Sequence, residues 1–158
     1  MYSNVFQAGI TGPITQANNL GFDAQYENNL DNGSSFIFHA IYETAKITMD
    51  PQNINNLKGF RTNLTYNFPE YISLTAGYFT ITGDNMITLV PAGVTSANGL
   101  PDSNGEILQL TFIPWMNTQF ALQYTIYNKF NGSSTNYDGS GRNAADNNTL
   151  NLSAWLIL

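Results

Sequence analysis

Hydrophobic and polar positions alternate at a period of two along most of the chain, with no sustained period of 3.6, so strands are predicted and helices are not. Leu20, Phe22, Ala24 and Tyr26 take one face of a first clear strand, against Gly21, Asp23, Gln25 and Glu27. Phe60, Thr62, Leu64, Tyr66 and Phe68 alternate with Arg61, Asn63, Thr65 and Asn67, and Ile72, Leu74, Ala76 and Tyr78 with Ser73, Thr75, Gly77 and Phe79. Leu108, Leu110 and Phe112 oppose Gln109, Thr111 and Ile113, while Phe120, Leu122, Tyr124 and Ile126 oppose Gln119, Ala121, Gln123 and Thr125. A last strand sets Leu150, Leu152, Ala154, Leu156 and Leu158 against Thr149, Asn151, Ser153, Trp155 and Ile157. Two weaker strands, near Asn4–Thr11 and Ser35–Glu43, complete a predicted set of eight.

The connections sharpen this pattern. Phe68-Pro69-Glu70-Tyr71 and Pro114-Trp115-Met116-Asn117 read as tight turns, with proline where no ladder donor is needed. Asn28–Ser34, with Asp31-Asn32-Gly33, is a third short turn. Longer polar segments are expected at Gly12–Asn19, Thr44–Gly59, Thr82–Gly105 and Asn128–Asn148. Short and long connections thus alternate, as in bacterial transmembrane barrels, whose short turns face the periplasm and whose long loops face outward. The fold predicted is all-β: an antiparallel up-and-down transmembrane β-barrel with eight strands visible. It is expected as one domain over residues 1–158, either a complete small barrel or the C-terminal part of a larger one.

Alternation alone does not say which face is inside, because a soluble sandwich or barrel has the same pattern turned over. Composition helps here. Charged residues are 10% of the chain, against about 25% in an average soluble domain. Polarity comes from Asn, Gln, Ser, Thr and Gly, so the polar face is nearly free of the Lys and Glu that protect a soluble sheet. Aromatic residues gather at strand ends. Tyr66, Phe68, Tyr71, Phe112 and Trp115 lie towards the short turns, and Tyr42, Phe60, Tyr78, Tyr127 and Phe130 towards the long loops, as interfacial girdles would. The lipid-facing reading is therefore preferred, with outer-membrane lipid as the first expected partner.

Charge and cysteine exclude several classes. A net charge of −6 with five basic residues leaves no basic stripe for nucleic acid. The absence of cysteine removes disulfide frameworks, thiolate metal sites and cysteine nucleophiles. No apolar run approaches the roughly 18 residues of a transmembrane helix.

The ending Asn148-Thr149-Leu150-Asn151-Leu152-Ser153-Ala154-Trp155-Leu156-Ile157-Leu158 resembles the C-terminal signature strand of bacterial outer-membrane proteins. That resemblance implies recognition by the barrel-assembly machinery through Leu150, Leu152, Ala154, Leu156 and Leu158. Leu158 stands where those families end in an aromatic residue. The segment Ser103–Leu158, with Pro114-Trp115, Lys129-Phe130-Asn131-Gly132 and Asn136-Tyr137-Asp138-Gly139-Ser140-Gly141-Arg142-Asn143, resembles the C-terminal end of poorly characterised proteobacterial outer-membrane, porin-like proteins. Some of those are described beside c-type cytochromes. The resemblance implies a barrel that belongs to the outer membrane of a Gram-negative bacterium, and it supplies no chemistry. There is no Cys-x-x-Cys-His haem attachment site, so an electron-transfer role would require a partner protein.

Three groups bear on function. Asp23, His39 and Arg61 fall on polar faces of neighbouring strands, at similar depth if the hairpin registers are simple. They would form either a charged constriction tuning which solutes pass or a polar network bracing a filled barrel, and the bracing role is favoured because eight strands leave little interior space. A single histidine without a Gly-x-Ser-x-Gly elbow gives no basis for an enzyme. Asp138 and Asp146 could offer oxygen to calcium, but local turns of Gly and Asn explain the same composition, so no metal and no cofactor is expected. Arg142 is expected to fold onto loop carboxylates or onto lipopolysaccharide phosphate. The apolar stretch Met86–Pro91 suggests a plug or a contact surface.

The function expected is porin-like or structural, with passive movement of small solutes. The alternatives are a scaffold that binds a partner, such as a c-type cytochrome, through its lumen or outer loops, and a soluble barrel around an apolar ligand.

Overall fold

The computed structural model describes residues 16–48, 54–85 and 96–156. Within them the alternating segments form seven strands: β1 (Gln16–Asn29), β2 (Ser35–Thr48), β3 (Ile54–Asn67), β4 (Ile72–Gly83), β5 (Ser103–Trp115), β6 (Thr118–Lys129) and β7 (Thr149–Leu156). A short 3₁₀ turn at Ala144–Asn147 precedes β7. The strands form one sheet in sequence order, each antiparallel to the next. This is the up-and-down topology expected of hairpins in series.

Closure differs from expectation, and seven of the eight expected strands fall among the described residues. The eighth strand, expected near Asn4–Thr11, lies outside the described residues, as do Met86–Pro91 and Leu158. Among the described residues the sheet is open: β1 and β7 are its two edges, with no ladder between them.

The three largest corrections to the expected loop boundaries lie at β1, β2 and β3. Gln16–Asn19 belongs to β1, Thr44–Thr48 to β2 and Ile54–Gly59 to β3. Most of the long loop expected at Thr44–Gly59 is therefore strand, and long and short connections do not alternate strictly. Pairing runs on through Thr44↔Lys58, Ala45↔Leu57 and Lys46↔Asn56. The alternation does not stop at Thr44; it changes sign, so that apolar residues move to the other face while the ladder continues.

The turns behave as their residues demand. Between β1 and β2, Gly33 adopts φ 81°, a left-handed position natural to glycine. There the Leu30 carbonyl accepts from the Gly33 N–H, and the Asn32 side-chain oxygen accepts from the Ser34 N–H. Pro114 sits in the irregular stretch between Phe112 and Trp115, where the register shifts and its missing donor leaves no gap in the ladder.

Candidate functional site

Register alone assigns the faces. Cross-strand neighbours Tyr26↔Phe38, Phe38↔Leu64, Leu64↔Ala76, Ala76↔Leu108, Leu108↔Tyr124 and Tyr124↔Leu150 make one apolar row across all seven strands. The next row towards the turns runs through Phe36, Tyr66, Leu74, Leu110, Leu122 and Leu152. On β2 to β6 this apolar face is the more open one, and on β1 and β7 both faces are exposed. On β5, Leu108 is 50% exposed and its neighbour-but-two Thr111, on the opposite face, only 7%; Leu152 on β7 is 79% exposed. The polar face holds Gln109, Gln123 and Thr125, with Thr125 buried. Water-soluble folds place these faces the other way round, and monomeric soluble proteins rarely expose an apolar patch beyond several hundred Å².

The apolar stretch also drifts across the sheet. Its centre on β1, Asp23 between Leu20 and Tyr26, is carried by the register through Ile41, Arg61, Phe79 and Gly105 to Tyr127 on β6. Among the described residues of β7 its centre, Ser153 between Leu150 and Leu156, pairs with Ala121 on β6. Tyr127 and Ala121 are six residues apart on one strand, so the stretch descends about one residue per strand over the six strand steps. With a rise of about 3.4 Å and a strand spacing of about 4.8 Å, a level apolar belt would then need strands tilted by roughly 35°.

Of the three expected polar-face residues, the structure joins two. His39 Nε2 lies 2.8 Å from Asp23 Oδ2, a diagonal contact, since Asp23 is opposite Ile41 and His39 opposite Gln25. Arg61 shares the face but is separated from Asp23 by Ile41 in the same row. Among the described residues it makes no hydrogen bond or ion pair. The polar face is otherwise braced by neutral pairs, including Thr65–Thr75 hydroxyls at 2.8 Å and the Asn67 amide donating to Ser35 Oγ at 2.9 Å.

The sign change at the loop side produces the main packed region, which the periodicity did not flag as a site. Beyond Tyr42 and Phe60, the face that was apolar carries Thr44, Lys46, Lys58, Thr80, Thr82 and Asn104, while the opposite face carries Ala45, Ile47, Leu57, Phe79 and Ile81. Ala45, Ile47 and Leu57 are buried. Phe79 and Tyr127, expected as alternation partner and girdle residue, meet here on the inner side of this region with ring centroids 5.5 Å apart. Tyr127 is therefore not an outward girdle residue: it follows Thr125 onto the polar face. Phe130 packs on Tyr127 at 5.0 Å and on Tyr137 at 4.9 Å, and the Arg142 guanidinium lies over the Tyr137 ring at 5.5 Å.

Two loops interlock around these rings. The Ala97 N–H donates to the Tyr137 carbonyl and the Gly132 N–H to the Asp102 carbonyl, while the Asn131 N–H donates to Ser103 Oγ. Ser96, fully buried, donates its hydroxyl to the Asn131 carbonyl at 2.9 Å. Lys129 and Asp102 form an ion pair at 2.9 Å.

The loop carboxylates are engaged by backbone amides. Asp138 accepts from the Ser140 and Arg142 N–H groups and Asp146 from the Asn143 N–H. The Ser140 amide, followed by that of Arg142, holds the Asp138 carboxyl below its ordinary range, and the Asn56 amides do the same for Asp84. Arg142 finds the Tyr137 ring and Asn147 Oδ1, not a carboxylate. Among the described residues no group of three or more His, Asp or Glu could hold a metal.

On β7, Leu150, Leu152, Ala154 and Leu156 share the exposed apolar face, on the strand that forms a free edge. Set against protein-family models, curated proteins and solved structures, the chain matches none.

Proposed function

We propose that this chain is a bacterial outer-membrane β-barrel, or a part of one, with a porin-like or structural role and no catalytic activity. One observation carries this reading: a continuous apolar face exposed across seven strands, backed by a mainly polar face that is the more covered of the two on β2 to β6. In lipid an exposed apolar face is the stable arrangement, and neutral Gln, Thr and Asn suit a narrow, wet lumen. Every sheet edge in hydrocarbon must also be paired, since each unsatisfied backbone group costs several kcal/mol, so β1 and β7 are read as joined to further strands.

Two further features support it. Strands β1 to β6 run to 12–14 residues, longer than the roughly 9–11 that cross a bilayer. Their surplus length lies at the loop side, where the polarity changes sign as it would on leaving the membrane. The tilt of roughly 35° demanded by a level apolar belt falls at the low end of the range for such barrels. In this reading the apolar positions of β7 are what the assembly machinery would meet. A soluble barrel around an apolar ligand would cover the apolar face, and the greater exposure of that face on β2 to β6 favours the lipid reading.

The testing experiment is gel migration before and after boiling, following refolding into detergent micelles or lipid vesicles. A compact species that resists detergent until boiled is expected. Folding in plain buffer without detergent or lipid would overturn the proposal. A partner-binding scaffold is the second reading, favoured by the interlocked loops, which present an ordered surface at the loop side.

A further inference from the structure

We propose that the loop-side end of the sheet is a built-in stopper that closes the polar lumen to solutes; this rests on the barrel reading above. A hydrophilic passage needs polar lining and open cross-section along its whole length, and an apolar constriction shuts it by excluding water. The polar face meets the first condition over Gln109, Gln123 and Thr125. Towards the loops it gives way to Ile47, Leu57 and the Phe79–Tyr127 ring pair, with Ile47 and Leu57 already buried.

The apolar region does not end with the strands. Tyr127, Phe130 and Tyr137 continue it ring against ring, at centroid spacings of 5.0 and 4.9 Å, contact distances that leave no room for water between the rings. Tyr137 is 3% exposed although it belongs to a loop. The loops on either side of it come from two different hairpins and are tied by the Ala97–Tyr137 and Gly132–Asp102 backbone bonds. Displacing one loop alone would strand those polar groups next to the apolar core, at a cost comparable to unsatisfied buried hydrogen-bonding groups. The closure is therefore made by ordered packing and not by a ring of charge.

The test is conductance of the refolded 158-residue chain in a planar lipid bilayer, with insertion verified by heat-modifiable migration. The wild-type chain should insert and stay near the closed baseline. The double variant Phe130→Ala, Tyr137→Ala should insert and give sustained channel steps. Ala97→Pro, which removes one of the amides that tie the two loops and leaves the rings and strands untouched, should give intermittent steps and guards against misfolding of the double variant. A wild-type chain that inserts and conducts steadily would sink the stopper while leaving the barrel standing. Inserted variants as silent as wild type would do the same. A chain that never inserts removes both proposals.

Discussion

Phe79 and Tyr127 meet edge to face, centroids 5.5 Å apart and planes 79° from one another, although they stand on β4 and β6, with β5 between them. They meet over Gly105, which the register sets opposite both. A Cβ at that position would run into the Ile126 carbonyl oxygen and come within 3.1 Å of the Phe79 ring. Gly105→Ala should therefore destabilise the folded chain by about 1–3 kcal/mol, the usual cost of overpacking. The midpoint of urea unfolding in detergent reads this, and an unchanged midpoint would show that the backbone relaxes freely there.

Leu110 and Gln109 are adjacent in sequence and point to opposite faces of β5. Leu110→Arg places a charge on the exposed apolar face and should cost about 2–4 kcal/mol of insertion if that position lies near the bilayer centre. Gln109→Arg places the same charge on the polar face and should insert nearly as well as wild type. Equal loss of vesicle insertion in both variants would refute the assignment of faces.

The Asp23–His39 pair is close at 2.8 Å but open to solvent, with side-chain exposures of 62% for Asp23 and 26% for His39. Exposed pairs of this kind contribute about 0–1 kcal/mol. Asp23→Asn and Arg61→Ala should each leave the unfolding midpoint within about 1 kcal/mol of wild type. A larger loss from Asp23→Asn would assign the pair a structural role beyond the contact visible between these two side chains.

Asp138 shapes its loop by accepting from the Ser140 and Arg142 amides. Its folded carboxyl titrates below the ordinary value of 3.8. The stability it lends the loop is therefore complete above that ordinary value and lost as the pH falls through the depressed one. Amide exchange at Ser140 and Arg142 should accelerate, relative to intrinsic rates, on acidification below about pH 4. At neutral pH, Asp138→Ala should speed tryptic cleavage after Arg142, and cleavage as slow as in wild type would mean the loop holds without that carboxylate.

Much of the architecture was legible in the residues. The alternations at Leu20–Tyr26, Phe60–Phe68 and Phe120–Ile126 marked strands correctly because a period of two is local and survives without tertiary information. β2 was harder to read. Ile37 and Ile41 interrupt its polar face, and its apolar positions change sides after Thr44, so a scan for one continuous alternation stops halfway. The ring contacts of Phe79, Tyr127, Phe130 and Tyr137 could not be read at all, since they join β4, β6 and a loop across 58 positions of sequence.

The sequence by itself determined that this chain forms antiparallel hairpins with one apolar and one polar face, because side chains alternate about each strand whatever the strand meets. Which face is covered was decided only by the tertiary structure. Turning the sheet over preserves every alternation; in the folded sheet Thr111 is buried and accepts from the Gln109 amide, while Leu108 stays half exposed. Tertiary structure alone also joined His39 to Asp23 and left Arg61 apart. A shared face brings residues to the same side, but the diagonal register between two particular strands selects which of them touch.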